Sequence, residues 1–154
     1  MASEIDARLQ ALGITLPVPG APAANYVPTA ASGRVMFVSG QIPMTPEGVQ
    51  FVGKVGREFT IDDGRAAARL CAINLLANMK ASLGDLGKVQ RVLKVTGFVN
   101  ADPEFADAHL VINGASDLLV EVLGERGRHA RSAIGVGTLP RGVAVEVEAI
   151  IETA

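Results

Sequence analysis

The sequence predicts an α+β domain: a mixed β-sheet with two main helices packed on one face. Three observations carry this expectation. Period-2 alternation of apolar residues appears near both ends, in residues 25–39 and 131–151. Two long helical patterns open near Thr60 and Asp102, and a third alternating segment, residues 89–99, separates them. The resulting order is β-β, a minor strand, α, β, α, β-β, and such runs pack helices on one side of a mixed sheet. With 154 residues, 49% of them hydrophobic, the chain is long enough for one core and needs no second one.

Ile5, Leu9 and Leu12 follow helical spacing, with Ser3 as N-cap and Gly13 as stop, so a short leading helix is expected as an appendage. Pro17, Pro19, Gly20 and Pro22 then mark an extended linker. Residues 1–24 are therefore read as an N-terminal helix and Pro-rich extension, and residues 25–154 as the folded domain.

Residues 25–30 and 34–39 read as two strands joined at Ser32-Gly33 in a hairpin. Thr45-Pro46-Glu47-Gly48 is a turn, followed by a short segment over residues 49–55 that Gly53 interrupts. Thr60-Ile61-Asp62-Asp63 forms a capping box that opens the longest helix, which ends at Gly84. Ala66, Leu70, Ile73 and Ala77, flanked by Leu76 and Met79, form its expected apolar stripe. Residues 92–99 alternate as a strand, with Gly97 as a candidate bulge. Asp102-Pro103-Glu104 carries the acid and proline signals of a helix start, and that helix should stop at Gly124. Phe37-Val38-Ser39-Gly40 and Val95-Thr96-Gly97-Phe98, each followed by a helix, echo one another as two β-α halves.

The C-terminal stretch carries the sharpest chemical signal. Val143, Val145, Val147, Ala149 and Ile151 alternate with Ala144, Glu146, Glu148 and Ile150, and Thr138-Leu139-Pro140-Arg141-Gly142 reads as the turn of a hairpin. Centring that turn between Pro140 and Arg141 sets Gly135 opposite Glu146, Ala133 opposite Glu148 and Arg131 opposite Ile150, on one face. Ile134 and Val136 then join the valines on the other face. Arg131 and Glu146 would stand about 13 Å apart at ~3.3 Å per residue, close enough to hold a small molecule from two ends. Gly135, Ala133 and Ala144 would leave room between them. On pattern alone a solvated strand face is the more common place for such an arginine. The pattern likewise favours a solvated face, or ion pairs across a subunit contact, over catalysis for the glutamates.

Arg131-Ser132, the Leu139-Pro140 turn and Val145-Glu146-Val147-Glu148-Ala149-Ile150, together with Ser39-Gly40-Gln41-Ile42-Pro43, resemble the RidA/YjgF family. The resemblance spans residues 26–152. It implies a chorismate-mutase-like fold, assembled as a homotrimer with ligand clefts between subunits. It further implies that Arg131 binds a substrate carboxylate and that Glu146 orients or activates water. Tyr26 and Asn113 would line the cleft, with His109 competing for the place of Asn113. Ser39 and Gly40 would offer a hydroxyl and a backbone N–H to the substrate. Where many relatives carry a cysteine two residues after the arginine, this chain has Ala133, and its N-terminal extension and residues 124–128 also differ from shorter members.

The expected activity is cofactor-independent hydrolytic deamination of reactive 2-enamino or 2-imino acids to 2-oxo acids and ammonia. The alternatives are a non-catalytic module that binds a small carboxylate and, ranked lowest, the endoribonuclease activity attached by name to some relatives. A net charge of −2 and 4% aromatic residues give little grip on RNA, so no nucleic-acid partner is expected. No membrane partner is expected either, because no apolar run approaches the roughly 18 residues of a span. Glu4, Asp6 and Arg8 interrupt the apolar run that a signal peptide requires, and the single cysteine suits a reducing compartment, so a cytoplasmic location is expected. His109 and His129 do not make a ligand-spaced metal motif, and Cys71 reads as a small buried hydrophobe. No phosphate loop, dinucleotide glycine fingerprint or nucleophile elbow is present.

Overall fold

The last two strands are not neighbours. In the computed structural model, which describes residues 3–154, β5 (Val89–Asn100) lies between β6 (Ala130–Val136) and β7 (Val145–Thr153). The sheet order is β1-β2-β7-β5-β6, with β1 at Thr29–Ser32 and β2 at Val35–Gln41. β6 runs parallel to β5, β7 runs antiparallel to both β5 and β2, and β1 and β2 form the expected hairpin around Gly33. The hairpin expected between residues 131 and 151, and its register, are therefore corrected. Alternation fixes which face a residue occupies but not which strand lies beside it. Thr138 to Gly142 serve instead as a crossing past the end of β5, closed by a short 3₁₀ turn at Pro140–Gly142.

Strand pairing then sorts the side chains. Val95 stands beside Arg131 and Ala149, and Gly97 beside Ala133 and Val147, on the face that the helices cover. Phe98 stands beside Ile134 and Glu146, and Thr96 beside Ser132 and Glu148, on the opposite face. Ile134, expected among the buried valines, is instead 46% exposed on that opposite face. The β5 register shifts lie between Val89 and Arg91 and between Val92 and Lys94, so Gly97 is not a bulge. Gly97 is small for another reason: a Cβ there would lie 2.5 Å from Cδ1 of Ile112 on the covering helix.

Helix α2 (Ile61–Leu83) begins as its sequence demands. The Thr60 hydroxyl accepts from the Asp63 N–H, the Asp63 carboxylate accepts from the Thr60 N–H, and Gly84 ends the helix with φ +81. Its buried residues include Ala67, Ala68, Cys71, Ala72, Leu75, Leu76 and Met79. The expected stripe was displaced by one position at its start: Ala66 is exposed, and Leu70 and Ile73 are only half-buried. The cause is that α2 meets both the sheet and the second covering helix, so two faces are buried rather than one.

That second helix, α3, spans Ala108–Leu123, starting later than Asp102-Pro103-Glu104 suggested. Asp102 is engaged with Arg57, and the Phe105 N–H donates to the Asp102 carbonyl in a turn. The expected stop is correct: Gly124 follows the helix as its C-cap, with φ +65. α1 (Glu4–Ala11) also departs from expectation, because Ile5 and Leu9 are buried in the main core rather than standing apart from it. β3 (Met44–Thr45) and β4 (Gly48–Val49) form a small separate hairpin around the predicted turn. Among the described residues no helix is long and apolar enough to cross a membrane.

Candidate functional site

The predicted site residues fall into two groups, one at each face of the sheet. Arg131 leaves edge strand β6 toward α3. Its Nη1 donates to Oδ1 of Asn113 at 2.8 Å and to Oγ of Ser116 at 3.2 Å, and its Nη2 donates to the His109 carbonyl at 3.1 Å. His109, Asn113 and Ser116 follow one another at four- and three-residue steps, so they form one polar stripe along the helix. Asn113 contributes its side chain, whereas His109 contributes only its backbone carbonyl to this contact.

Five N–H donors belong to a guanidinium, and these three bonds leave Nε–H and one Nη2–H without an acceptor among the described residues. No Asp or Glu among the described residues pairs with Arg131. Its charge is thus dressed by neutral oxygens and remains available to an anion.

Ser116 is held in turn. Its Oγ lies 2.8 Å from Nε2 of His129, whose Nδ1 lies 2.6 Å from the Gly127 carbonyl. Burial pushes the His129 imidazole below its ordinary pKa; the Gly127 carbonyl opposes that shift and Arg131 adds to it. Ser116 and His129 were not among the residues expected to serve the site. The helical spacing of Ser116 from Asn113 was the sequence signal for it, and no comparable signal pointed to His129.

The second group lies on the open face. A Cβ on Gly40 would fall 2.3 Å from Oε1 of Glu146, so the bare backbone of the β2 irregularity makes room for that carboxylate. Burial, reinforced by Glu148, raises Glu146 above the usual carboxylate range. Ser39 donates its hydroxyl to the Val27 carbonyl at 2.7 Å, tying the strand to the segment that carries Tyr26, itself 51% exposed. A hollow of about 300 Å³ is lined here by Val27, Phe37, Ser39, Glu148 and Ile150. A larger one of about 690 Å³, between α1, the following linker and α2, contains none of the predicted site residues.

Arg131 and Glu146 therefore do not share a hollow within one chain, and the expectation that they face each other across a hairpin is corrected. Gly135 and Ala133 lie on the helix-covered face with Arg131, and Glu146 lies on the other. Among the described residues, no group of three His, Cys, Asp or Glu side chains is arranged to hold a metal ion.

A five-stranded mixed sheet covered on one side by two long helices, with a charge-bearing arginine at one edge, defines a chorismate-mutase-like α+β protein. The family model described as "YjgF/chorismate_mutase-like, putative endoribonuclease" matches residues 6–148, and the chain belongs to this YjgF/RidA family. Protein TCP17 of Trypanosoma cruzi is 49% identical over 152 residues, covering 98% of this chain and 95% of TCP17. The crystal structure of Atu1372, a protein of unknown function from Agrobacterium tumefaciens, is 52% identical with a TM-score of 0.91, covering 97% of this chain and 92% of that one. The crystal structure of E. coli TdcF with bound serine is 26% identical with a TM-score of 0.64, covering 91% of this chain and 96% of that one.

Proposed function

We propose that the protein is a cofactor-independent deaminase that hydrolyses 2-imino or 2-enamino acids to 2-oxo acids and ammonia. It works as a homotrimer, in which the Arg131 half-site of one copy and the Glu146 half-site of a neighbour meet across a cleft. The observation that carries this reading is the Arg131 guanidinium, oriented by three neutral acceptors and left without a carboxylate. A planar cation with two unspent donors is matched to a carboxylate. The serine bound to TdcF is a small amino acid bearing such a group.

Two observations favour completion by a second copy. The two half-sites occupy opposite faces of one sheet, so a single chain cannot close them on one small molecule. The open face also exposes Phe37 at 51% and Ile134 at 46%, beside the half-buried Phe98 and Ile150, an apolar surface suited to burial against another protein. Tyr26, Ser39 and Gly40 belong to the Glu146 side, and Asn113 to the Arg131 side.

In the reaction, the substrate carboxylate sits on Arg131 and water attacks the imine carbon. Glu146 takes a proton from that water as the C–O bond forms and returns it to nitrogen. The carbinolamine then collapses: its hydroxyl proton passes by way of Glu146 to the amino nitrogen, the C=O bond forms, and the C–N bond breaks to release ammonia. A carboxylate with raised pKa suits both transfers, which typically contribute about 10²- to 10⁴-fold. Ala133 leaves no thiol for covalent chemistry at this position. The cytoplasm is the compartment we assign, in keeping with the one buried, unpaired cysteine.

Freshly generated 2-iminopropanoate mixed with purified protein should release pyruvate faster than buffer alone, and Arg131→Ala should abolish the gain. No acceleration by wild type, or full activity in Arg131→Ala, defeats the proposal. Binding of pyruvate without turnover, unchanged in Glu146→Gln, would instead identify a carboxylate-binding module.

A further inference from the structure

We infer that Ser116 and His129 are positioning residues for Arg131, and that they make carboxylate binding weaken when His129 takes up a proton. This rests on the proposed role of Arg131. The geometry fixes the direction of every bond in the chain. A carbonyl only accepts, so His129 Nδ1 carries the proton that goes to Gly127, and Nε2 of the neutral ring is an acceptor. The Ser116 hydroxyl must therefore donate to Nε2, and its oxygen is left to accept from Arg131. The relay orients the serine lone pair at the guanidinium, which holds the Nη1 end while Nε–H and one Nη2–H stay unspent.

The anchor of this relay lies in residues 124–128. It forms a 3₁₀ turn at Gly124–Gly127, pressed so closely on α3 that a Cβ on Gly127 would fall 2.3 Å from the Leu119 carbonyl. The Gly127 carbonyl is thus fixed relative to α3, and with it the ring.

Protonation changes the pattern. Nε2 becomes a donor, the Ser116 proton loses its acceptor, and the one oxygen must accept from two cations. The charged groups on the surrounding elements do not offset this. On the turn, Glu125 is paired with Arg128, and Arg126 donates to the Gly87 and Val89 carbonyls. On α3, Asp117 lies with Arg65, while Glu121 is exposed. On β5, Lys94 donates to Ser132. Arg131 is the charge that acts on the ring, and it repels the protonated form.

The test combines imidazole NMR of the full-length protein with pyruvate binding measured across pH. In wild type, His129 should be the Nδ1–H tautomer, and its titration should lie below 6.5. Pyruvate affinity should be flat near neutrality and weaken about tenfold as His129 protonates, and by reciprocity bound pyruvate should lower the His129 midpoint further. His129→Gln removes the titrating ring and should abolish the acid limb, at a neutral-pH affinity lowered by the lost anchor on Gly127. Ser116→Ala should weaken binding about tenfold throughout and also flatten it. A proton on Nε2 rather than Nδ1, or an acid limb that persists in His129→Gln or follows the titration of His109, overturns the inference. If Arg131→Ala still abolishes binding in that case, the proposed function stands without it. Undiminished binding in Arg131→Ala overturns both.

Discussion

Arg131 and Glu146 stand on opposite faces of the same sheet, separated by a single strand: Arg131 beside Val95, Glu146 beside Phe98. Each residue is individually prepared for chemistry. Arg131 has an unmatched charge in an oriented frame, and Glu146 has a raised pKa in a space that Gly40 leaves open. Neither can serve the other inside one chain.

Replacing Asn113 with Asp should harm carboxylate binding more than replacing it with Ala. The Asn113 amide oxygen lies 2.8 Å from Nη1 of Arg131, so an aspartate there would neutralise the guanidinium from within and compete with ligand. Charged hydrogen bonds of this kind contribute about 1.5–3 kcal/mol, so Asn113→Asp should lose about tenfold or more in pyruvate affinity by calorimetry. Equal affinity in the Asp and Ala variants would show that the Arg131 charge is not what binds.

The proposed deaminase activity should fall in acid as Glu146 protonates, and Glu148→Gln should move that fall to lower pH. Burial is the larger cause of the raised pKa and Glu148 the smaller, so the shift should be partial. The linkage runs the same way. With its folded pKa above the unfolded value, Glu146 contributes stability that is present below the unfolded pKa and lost as pH rises through the folded one. Glu146→Gln should therefore raise thermal stability at neutral pH while removing turnover. A pH–rate profile unmoved by Glu148→Gln would break the assignment.

Gly114→Ala should destabilise the fold by about 1–3 kcal/mol in chemical denaturation. A Cβ at Gly114 would meet the Arg65 carbonyl oxygen at 2.0 Å, and that contact is backbone on the facing helix, so the helices must part. Because Asn113 is the adjacent residue, pyruvate binding should weaken as well. Wild-type stability in this variant would mean that α2 and α3 are less closely packed than described.

Ile134→Lys should shift the proposed trimer to smaller species in sedimentation and abolish the proposed deamination with it. Ile134 sits on the open face, on the same row as Phe98 and Glu146, where a charge would oppose burial against another copy. An assembly of unchanged size would overturn the assignment of this face to the proposed intersubunit contact.

The sequence made the elements legible and the neighbours illegible. Thr60, Asp63 and Gly84 bounded α2 because caps are local chemistry. Asp102-Pro103 misled because its acid is used by Arg57, a residue 45 positions away, rather than by a helix end. The valines of β7 announced a buried face, but nothing in their spacing revealed that β5 would separate them from β6. Arg131, Asn113, Ser39, Gly40 and Glu146 were each singled out as candidates, and the structure brings the first two together and the last two together. The link from Arg131 to His129 passes through a serine and ends on a backbone carbonyl, contacts that leave no periodic trace.

β7 joins β2 on one side and β5 on the other, so residues 145–153 complete the middle of the sheet although they are synthesised after every other strand. Until they leave the ribosome, β1-β2 and β5-β6 can form only separate ribbons, each with a bare seam of backbone donors and acceptors. Cooperative folding must therefore wait until residues 145–153 are available. A nascent chain arrested before residue 145 should be digested readily by protease, while a chain that includes β7 should resist.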